Sequence, residues 1–149
     1  MSAERDRLHA MACELGIAEK VSFIASVEQA RLPEYYSAAD VCVLPSYYES
    51  FGFAALEAAA CGKPVIVTDS PAGKARESAG LAQCYRTGNV SDLRHQLQQL
   101  LADSEVRERV GQRARDSVLS SLSYDLVASR AEAIMNDAIA AEHGVPVSK

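Results

Sequence analysis

Two short segments that are apolar throughout constrain the fold of this chain most. Residues 41–44 (VCVL) and 65–68 (VIVT) show no alternation of apolar and polar side chains, which is typical of parallel strands covered on both faces. Residues 52–61 between them are rich in alanine and precede Gly62, so they predict a short helix with a glycine C-cap. A strand, a helix and a second strand with short connections predict a βαβ unit and a parallel sheet.

Other parts of the chain predict two weaker strands and five more helices. Residues 21–25 (VSFIA) and 82–86 (AQCYR) are the strand candidates. No linker or repeat interrupts the chain, so we expect residues 1–149 to form a single α/β domain with a Rossmann-like, doubly wound sheet. Hydrophobic periodicity predicts helices over residues 4–15, 32–40, 92–102, 105–119 and 124–142, with Ser123 as the N-cap of the last helix and Gly144 and Pro146 ending it.

Composition excludes several classes of protein. The chain has 149 residues, of which 48% are hydrophobic, and a net charge of −5, so it has a core but no basic surplus for nucleic-acid binding. No segment reaches the roughly 20 apolar residues of a transmembrane helix, and the first residues lack the apolar core of a signal peptide. The cysteines are widely spaced and form no cluster with histidine, which argues against a metal site. These features predict a cytoplasmic protein.

Two glutamates flank the start of the helix that follows the first apolar strand. Loops at this position line the rim where α/β sheets bind ligands. Gly52 permits close approach of a ligand, and the unpaired N–H groups near Phe51, Gly52 and Phe53 can hold a phosphate. Glu57 would then lie one turn further on, where its carboxylate can accept bonds from sugar hydroxyls, and Glu49 would reach from the other side. The alternatives are that Glu49 only caps the helix and that both carboxylates are solvated.

The same residues carry a resemblance to a known family. Residues 39–69 (ADVCVLPSYYESFGFAALEAAACGKPVIVTD) closely resemble the signature of glycosyltransferase family 4, and Glu49 and Glu57 match the two glutamates of its E-x7-E motif. Residues 70–78 (SPAGKARES) resemble the family's Gly-Gly-x-x-Glu loop, with Ala72 in place of the first glycine and Glu77 as the glutamate, one residue later than that spacing. Weaker similarity at residues 15–27 and 122–130 extends the resemblance to roughly residues 8–140.

The resemblance implies a retaining glycosyltransferase with a GT-B fold, in which two Rossmann-like domains face a cleft. This chain is similar to the later part of the C-terminal, donor-binding domain. By resemblance, Glu57 would bind the ribose of a nucleotide diphosphate sugar, and Glu49 would contact the donor sugar as the catalytic candidate. The backbone at Phe51, Gly52 and Phe53 would face the diphosphate or the sugar. UDP- or GDP-sugars would be the substrates, with no metal and no other cofactor.

The resemblance also implies partners outside this chain. The N-terminal acceptor domain and the Arg and Lys that clamp the diphosphate belong to upstream segments, so we expect a fragment of a longer enzyme or a natural stub that transfers no sugar by itself. The nearest cations are Lys63, Lys74 and Arg76, of which Lys63 is expected at the far end of the helix. A peripheral location at the inner membrane stays open for a full-length enzyme.

The incomplete sheet has a consequence for assembly. With the usual strand order, residues 21–25 would be separated from residues 41–44, so that strand must shift, pair with another molecule or fray. We therefore expect a homo-oligomer.

The alternative function is a non-catalytic binding or interaction module. A sugar-nucleotide epimerase is a third possibility, but the E-x7-E block favours the transferase over it. The aromatic residues are interpreted as core and rim packing: Tyr35, Tyr36, Tyr47, Tyr48 and Phe51.

Overall fold

The computed structural model describes residues 3–122 and 124–142. Residue contacts divide the chain into two units, residues 1–32 and residues 33–149. In the first unit, helix α1 (Ala3–Glu14) confirms the first predicted helix, and two short 3-10 turns follow at Ala18–Lys20 and Gln29–Arg31. The predicted strand over residues 21–25 is wrong, because these residues form no ladder. The described residues of this unit contain no strand at all. Residues 21–25 therefore have no neighbouring strand to pair with their N–H and C=O groups.

The second unit contains the predicted parallel sheet. Its three strands are β1 (Cys42–Leu44), β2 (Val65–Thr68) and β3 (Gln83–Tyr85), in the order β1-β2-β3. In the ladders Val43 pairs with Ile66, and Ile66 pairs with Gln83. Strand β2 is buried at every position, as its apolar pattern predicts. Strand β1 is only half-buried, so full coverage of both its faces is a wrong prediction, because β1 is an outer strand of this sheet.

Helices flank the sheet in the positions that the periodicity predicts, with one addition. Helix α4 is not among the predicted helices, although its local signals are present: the Ser70 hydroxyl accepts a 3.2 Å bond from the Gly73 N–H, and Pro71 occupies the first helical position. The predicted N-cap Ser123 and the predicted helix end at Gly144 and Pro146 lie outside the described residues. The helices are α2 (Leu32–Ala38), α3 (Phe53–Ala60), α4 (Pro71–Ser78), α5 (Val90–Ala102), α6 (Ser104–Ser121) and α7 (Tyr124–Glu142).

The core lies on both faces of β2, because successive side chains of a strand point to opposite faces. Val65 and Val67 pack on one face against residues of α3 and α6, whereas Ile66 packs on the other face. This two-sided layering confirms the Rossmann-like α/β class. The first cluster comprises Ala55, Ala58, Ala59, Val65, Val67, Leu81, Ala114 and Val118, and the second comprises Ile66, Tyr85 and Leu100.

Helix α4 packs very closely against the end of β2. A Cβ atom at Gly73 would clash with the backbone carbonyl oxygen of Thr68. Only glycine at position 73 therefore allows the backbone of α4 to pack this closely against the carboxyl end of β2. The contact matters for the site, because it brings the next turn of α4, with Arg76, beside the loop after β1.

Candidate functional site

The loops that leave the carboxyl ends of the three strands meet at one edge of the sheet. The Thr68 hydroxyl donates a 2.8 Å hydrogen bond to the carbonyl of Ser46, which joins the loops after β1 and β2. Thr87, after β3, donates to Oδ1 of Asp69 through its N–H at 2.9 Å and its hydroxyl at 2.8 Å. These two bonds hold the pKa of Asp69 below its usual range. This edge is where a parallel α/β sheet offers a ligand site.

Glu49 holds the turn that leads into α3, which begins at Phe53. Its Oε1 atom accepts hydrogen bonds from the N–H groups of Gly52 at 2.8 Å and Phe51 at 3.3 Å. Gly52 has φ 66° and ψ 51°, a left-handed conformation that suits glycine and turns its N–H toward the carboxylate. Glu49 therefore bonds the amides of the two residues before the helix, and among the described residues α3 has no side-chain cap on its first-turn amides. Two of the amides predicted to hold a phosphate hold this carboxylate instead.

Glu57 is tethered to a different helix. Its Oε2 atom accepts a 2.9 Å hydrogen bond from the hydroxyl of Tyr36 on α2. Burial, and then this bond to a carboxylate, raise the pKa of Tyr36 to about 12. Sequence reasoning missed the role of Tyr36, which it interpreted only as packing. A tyrosine in the helix before β1 was the available signal, but the pairing spans 21 residues.

The two glutamates border different cavities. Glu49, Gly52 and Arg76 line a narrow cleft of about 10 Å³ at the ends of β1 and β2. Glu57 and Phe53 line a wider groove of about 390 Å³, whose other walls are apolar residues of α3, of α6 and the residue after it, and of α7. The N-terminal turn of α3 runs between the two spaces. Of the predicted site residues, the structure therefore groups Glu49 with Gly52, and Glu57 with Phe51 and Phe53.

Arg76 is the candidate cation that reaches the cleft. It is only 8% exposed, its NH1 atom donates a 3.0 Å bond to the carbonyl of Ala72, and its Cζ atom lies 5.4 Å from the centre of the Phe51 ring. Burial lowers the pKa of Arg76, against the opposing effect of Glu49. Its Nε atom is buried and has no hydrogen-bond partner among residues 3–122 and 124–142.

The other residues singled out near this loop lie elsewhere. Lys63 borders a separate cavity beside Asp40, beyond the C-terminal end of α3, as the sequence predicts. Lys74 is exposed on α4. Glu77, the glutamate assigned to the family loop by resemblance, is exposed and accepts a 3.1 Å bond from the N–H of Cys84 on β3. It does not line the Glu49 cleft.

The aromatic residues of the rim are more exposed than the sequence suggests. Tyr47 is 81% exposed and Tyr48 is 85% exposed, so core packing is a wrong interpretation for these two side chains. Tyr36 is half-buried and packs against the core. Phe51 and Phe53 contact each other with ring centres 4.5 Å apart. A pair of exposed rings beside the Glu57 groove offers an apolar surface for a planar ligand group.

Two further observations concern the described residues only. Among them, no helix is long and apolar enough to cross a bilayer. No three His, Cys, Asp or Glu side chains in this part of the chain are grouped so that they could hold a metal ion.

Comparison with known proteins places this fold in the GT-B class of glycosyltransferases. Residues 2–117 match the family described as glycosyl transferases group 1, and the chain belongs to that family. The D-inositol 3-phosphate glycosyltransferase of Stackebrandtia nassauensis is 35% identical over 149 aligned residues, which cover 95% of this chain and 33% of that protein. The corresponding enzyme of Streptomyces bingchenggensis is 38% identical over 118 residues, 73% of this chain and 24% of that protein.

Solved structures show the same relationship. Sucrose-phosphate synthase from Thermosynechococcus elongatus matches with a TM-score of 0.80 and 31% identity, over 94% of this chain and 35% of that one. The C-terminal domain of the group 1 glycosyl transferase LpcC from Francisella tularensis matches with a TM-score of 0.68 and 26% identity, over 80% of this chain and 63% of that one. The chain is therefore similar to the C-terminal domain of GT-B enzymes, and it spans about a third or less of the two curated relatives above.

Proposed function

We propose that this chain forms the donor-binding part of a retaining glycosyltransferase, which transfers a sugar from a nucleotide diphosphate sugar to an acceptor. The single observation that carries the proposal is the rim at the start of α3, where Glu49, two backbone N–H groups and the buried Arg76 converge at the carboxyl end of a parallel sheet. This combination supplies hydroxyl acceptors and anion donors, the two needs of a sugar linked to a diphosphate.

Each predicted residue has a role in this proposal. The Glu57 carboxylate binds the ribose hydroxyls, and its rotamer is held by Tyr36. Glu49 contacts the donor sugar. The backbone at Phe51, Gly52 and Phe53 faces the diphosphate, where the positive end of α3 stabilises the charge that develops as the bond between sugar and diphosphate breaks. UDP- and GDP-sugars are the proposed donors, and the chemistry uses no metal.

The names of the relatives support this class of reaction. The curated relatives are named as glycosyltransferases, and a third solved neighbour, WaaG, is titled a glycosyltransferase involved in lipopolysaccharide biosynthesis. Their sugars and acceptors are their own. For this chain the proposal names only the kind of donor, a nucleotide diphosphate sugar, and it names no acceptor.

A thermal-shift panel of nucleotide sugars tests the proposal. A ligand that binds only the folded chain, at one hundred times its Kd, stabilises it by about 2.7 kcal/mol. For a chain of this size that stabilisation raises Tm by about 5–10 °C. We expect such a shift with at least one UDP- or GDP-sugar. Cooperative melting with no shift from any nucleotide or nucleotide sugar would instead support a non-catalytic module.

A further inference from the structure

Arg76 is a buried cation that lacks a full set of partners. Within the part of the chain that the structure describes, only its NH1 atom forms a hydrogen bond, to the preceding turn of its own helix, and its Nε atom has none. Among the described residues, no carboxylate forms an ion pair with it. Burying a guanidinium in this state is costly, and buried N–H groups without partners are rare in folded proteins. The arrangement indicates that the guanidinium is set up to receive an acceptor that enters the cleft.

Glu49 lies near Arg76, but its carboxylate is bonded to backbone amides and to no cation in the described part of the chain. Its carboxylate is held by the neutral N–H groups of Phe51 and Gly52. A side chain at position 52 would lie 3.2 Å from Cγ of Glu49 and 3.4 Å from Cζ of Arg76, so both side chains flank the space that Gly52 leaves empty. With this carboxylate in place the cleft holds about 10 Å³, roughly the room for one water. While Glu49 occupies the Phe51 and Gly52 amides, those two donors are not available to a phosphate group.

We propose that Arg76 is a positioning residue: when the diphosphate of the donor binds the Phe51 and Gly52 amides, the Glu49 carboxylate turns away from them and pairs with the Arg76 guanidinium. This inference rests on the proposed donor-binding function. The exchange replaces two bonds between a carboxylate and neutral amides with an ion pair in which both partners are charged and the guanidinium can donate two parallel bonds. It also satisfies the buried Nε atom and removes a negative charge from the place where the diphosphate binds.

The proposal is distinguished from a simpler one by its dependence on Glu49. If Arg76 pairs with the Glu49 carboxylate, substituting Arg76 leaves Glu49 on the amides. The loss of nucleotide affinity then occurs only while residue 49 is charged. If Arg76 contacts the diphosphate directly, its removal costs the same whatever stands at position 49. A double-mutant cycle separates the two cases, because it measures the coupling between the residues.

The experiment measures UDP affinity by calorimetry, or GDP affinity if the wild-type chain prefers GDP, for the 149-residue chain and variants. These are Arg76→Gln, Glu49→Gln, the double variant, Arg76→Lys, and Lys74→Gln as the matched control on the exposed side of α4. We expect Arg76→Gln to lower affinity about tenfold in the wild-type background and less than about threefold in the Glu49→Gln background. Glu49→Gln alone should bind UDP at least as tightly as wild type. Arg76→Lys should retain part of the affinity, and Lys74→Gln should change nothing.

Equal losses from Arg76→Gln in both backgrounds, or no loss in either, would overturn the proposal. Thermal melting checks that each variant folds, and if Arg76→Gln does not, the cycle is run with Arg76→Lys and must show the same dependence on Glu49. If the wild-type chain binds neither nucleotide, the proposed function fails and this inference fails with it. If the wild type binds and the cycle shows no coupling, only this inference fails.

Discussion

The hydroxyl of Tyr36 donates a 2.9 Å hydrogen bond to Oε2 of Glu57, and this bond ties α2 to the second turn of α3. The other carboxylate oxygen, Oε1, accepts no hydrogen bond from the described residues. One oxygen therefore fixes the side chain while the other is left for a ligand in the groove beside Phe51 and Phe53. A preorganised acceptor of this kind loses little side-chain entropy on binding.

Glu57→Gln tests the ribose role. The amide keeps the size of the side chain but loses the charge, and a hydrogen bond to a charged group contributes about 1.5–3 kcal/mol. We expect a roughly 10- to 100-fold loss of affinity for both the free nucleotide and the nucleotide sugar, measured by calorimetric titration. Glu77→Gln is the control, because that exposed carboxylate contacts β3 instead. Unchanged nucleotide affinity in Glu57→Gln would show that the ribose assignment is wrong.

Glu49→Gln tests the sugar role. Because Glu49 is assigned to the donor sugar, its variant should weaken the nucleotide sugar roughly 10- to 100-fold without weakening the free nucleotide. The same calorimetric titrations give the ratio of the two affinities, and that ratio should fall. A loss of equal size for both ligands would contradict the assignment and would mean that Glu49 acts on the nucleotide part.

Tyr36→Phe should change how stability depends on alkaline pH. The pKa of Tyr36 is raised from 10 to about 12 in the folded chain, so between these values the folded state keeps a proton that the unfolded state loses. This contribution to the free energy of unfolding is full below pH 10 and is lost as pH rises toward 12. Chemical denaturation at pH 9, 10, 11 and 12 should show a steeper loss for wild type than for Tyr36→Phe.

The comparison is internally controlled. Tyr85 and Cys84 also have raised pKa values, through burial first, and they are present in both proteins. Their contributions cancel in the difference between wild type and Tyr36→Phe. Parallel stability curves over this pH range would contradict the raised pKa of Tyr36, which burial and then the bond to Glu57 cause.

Gly73→Ala should destabilise the fold. The added methyl group would clash with the backbone carbonyl of Thr68, and backbone on both sides of the contact has little freedom to move. Overpacking of this kind costs about 1–3 kcal/mol or more, measured as the change in the free energy of unfolding by urea. Lys74→Ala, an exposed neighbour on α4, is the matched control and should stay within about 0.5 kcal/mol of wild type. Wild-type stability in Gly73→Ala would refute the close packing of α4 on β2.

Self-association is expected from the sheet and from α7. The outer strands β1 and β3 each have a single strand neighbour among the described residues, and exposed strand edges invite pairing. Helix α7 also exposes large apolar side chains, including Ile134 and Met135. Light scattering over a wide concentration range should show a dimer or a larger species. A monomer at every concentration, with cooperative melting, would count against this prediction.

The sequence by itself determined the elements whose signal is local. The apolar runs at residues 41–44 and 65–68 predicted two neighbouring parallel strands, and the ladder between β1 and β2 confirms them, although only β2 is covered on both faces. Amphipathic periodicity likewise predicted α5 and α6. The E-x7-E spacing around α3 identified the family that the match over residues 2–117 shows.

Tertiary structure alone decided which partners these elements and side chains have. Residues 21–25 have strand-like composition but no neighbouring strand within the described part of their unit, and composition cannot supply one. Glu49 and Glu57 lie on the same short stretch, yet packing directs one toward Arg76 and ties the other to Tyr36. Such pairings join residues more than 20 positions apart, so they depend on where β2, α2 and α4 pack around α3. Local pattern does not encode those distances, because the same residues in another packing would meet different neighbours.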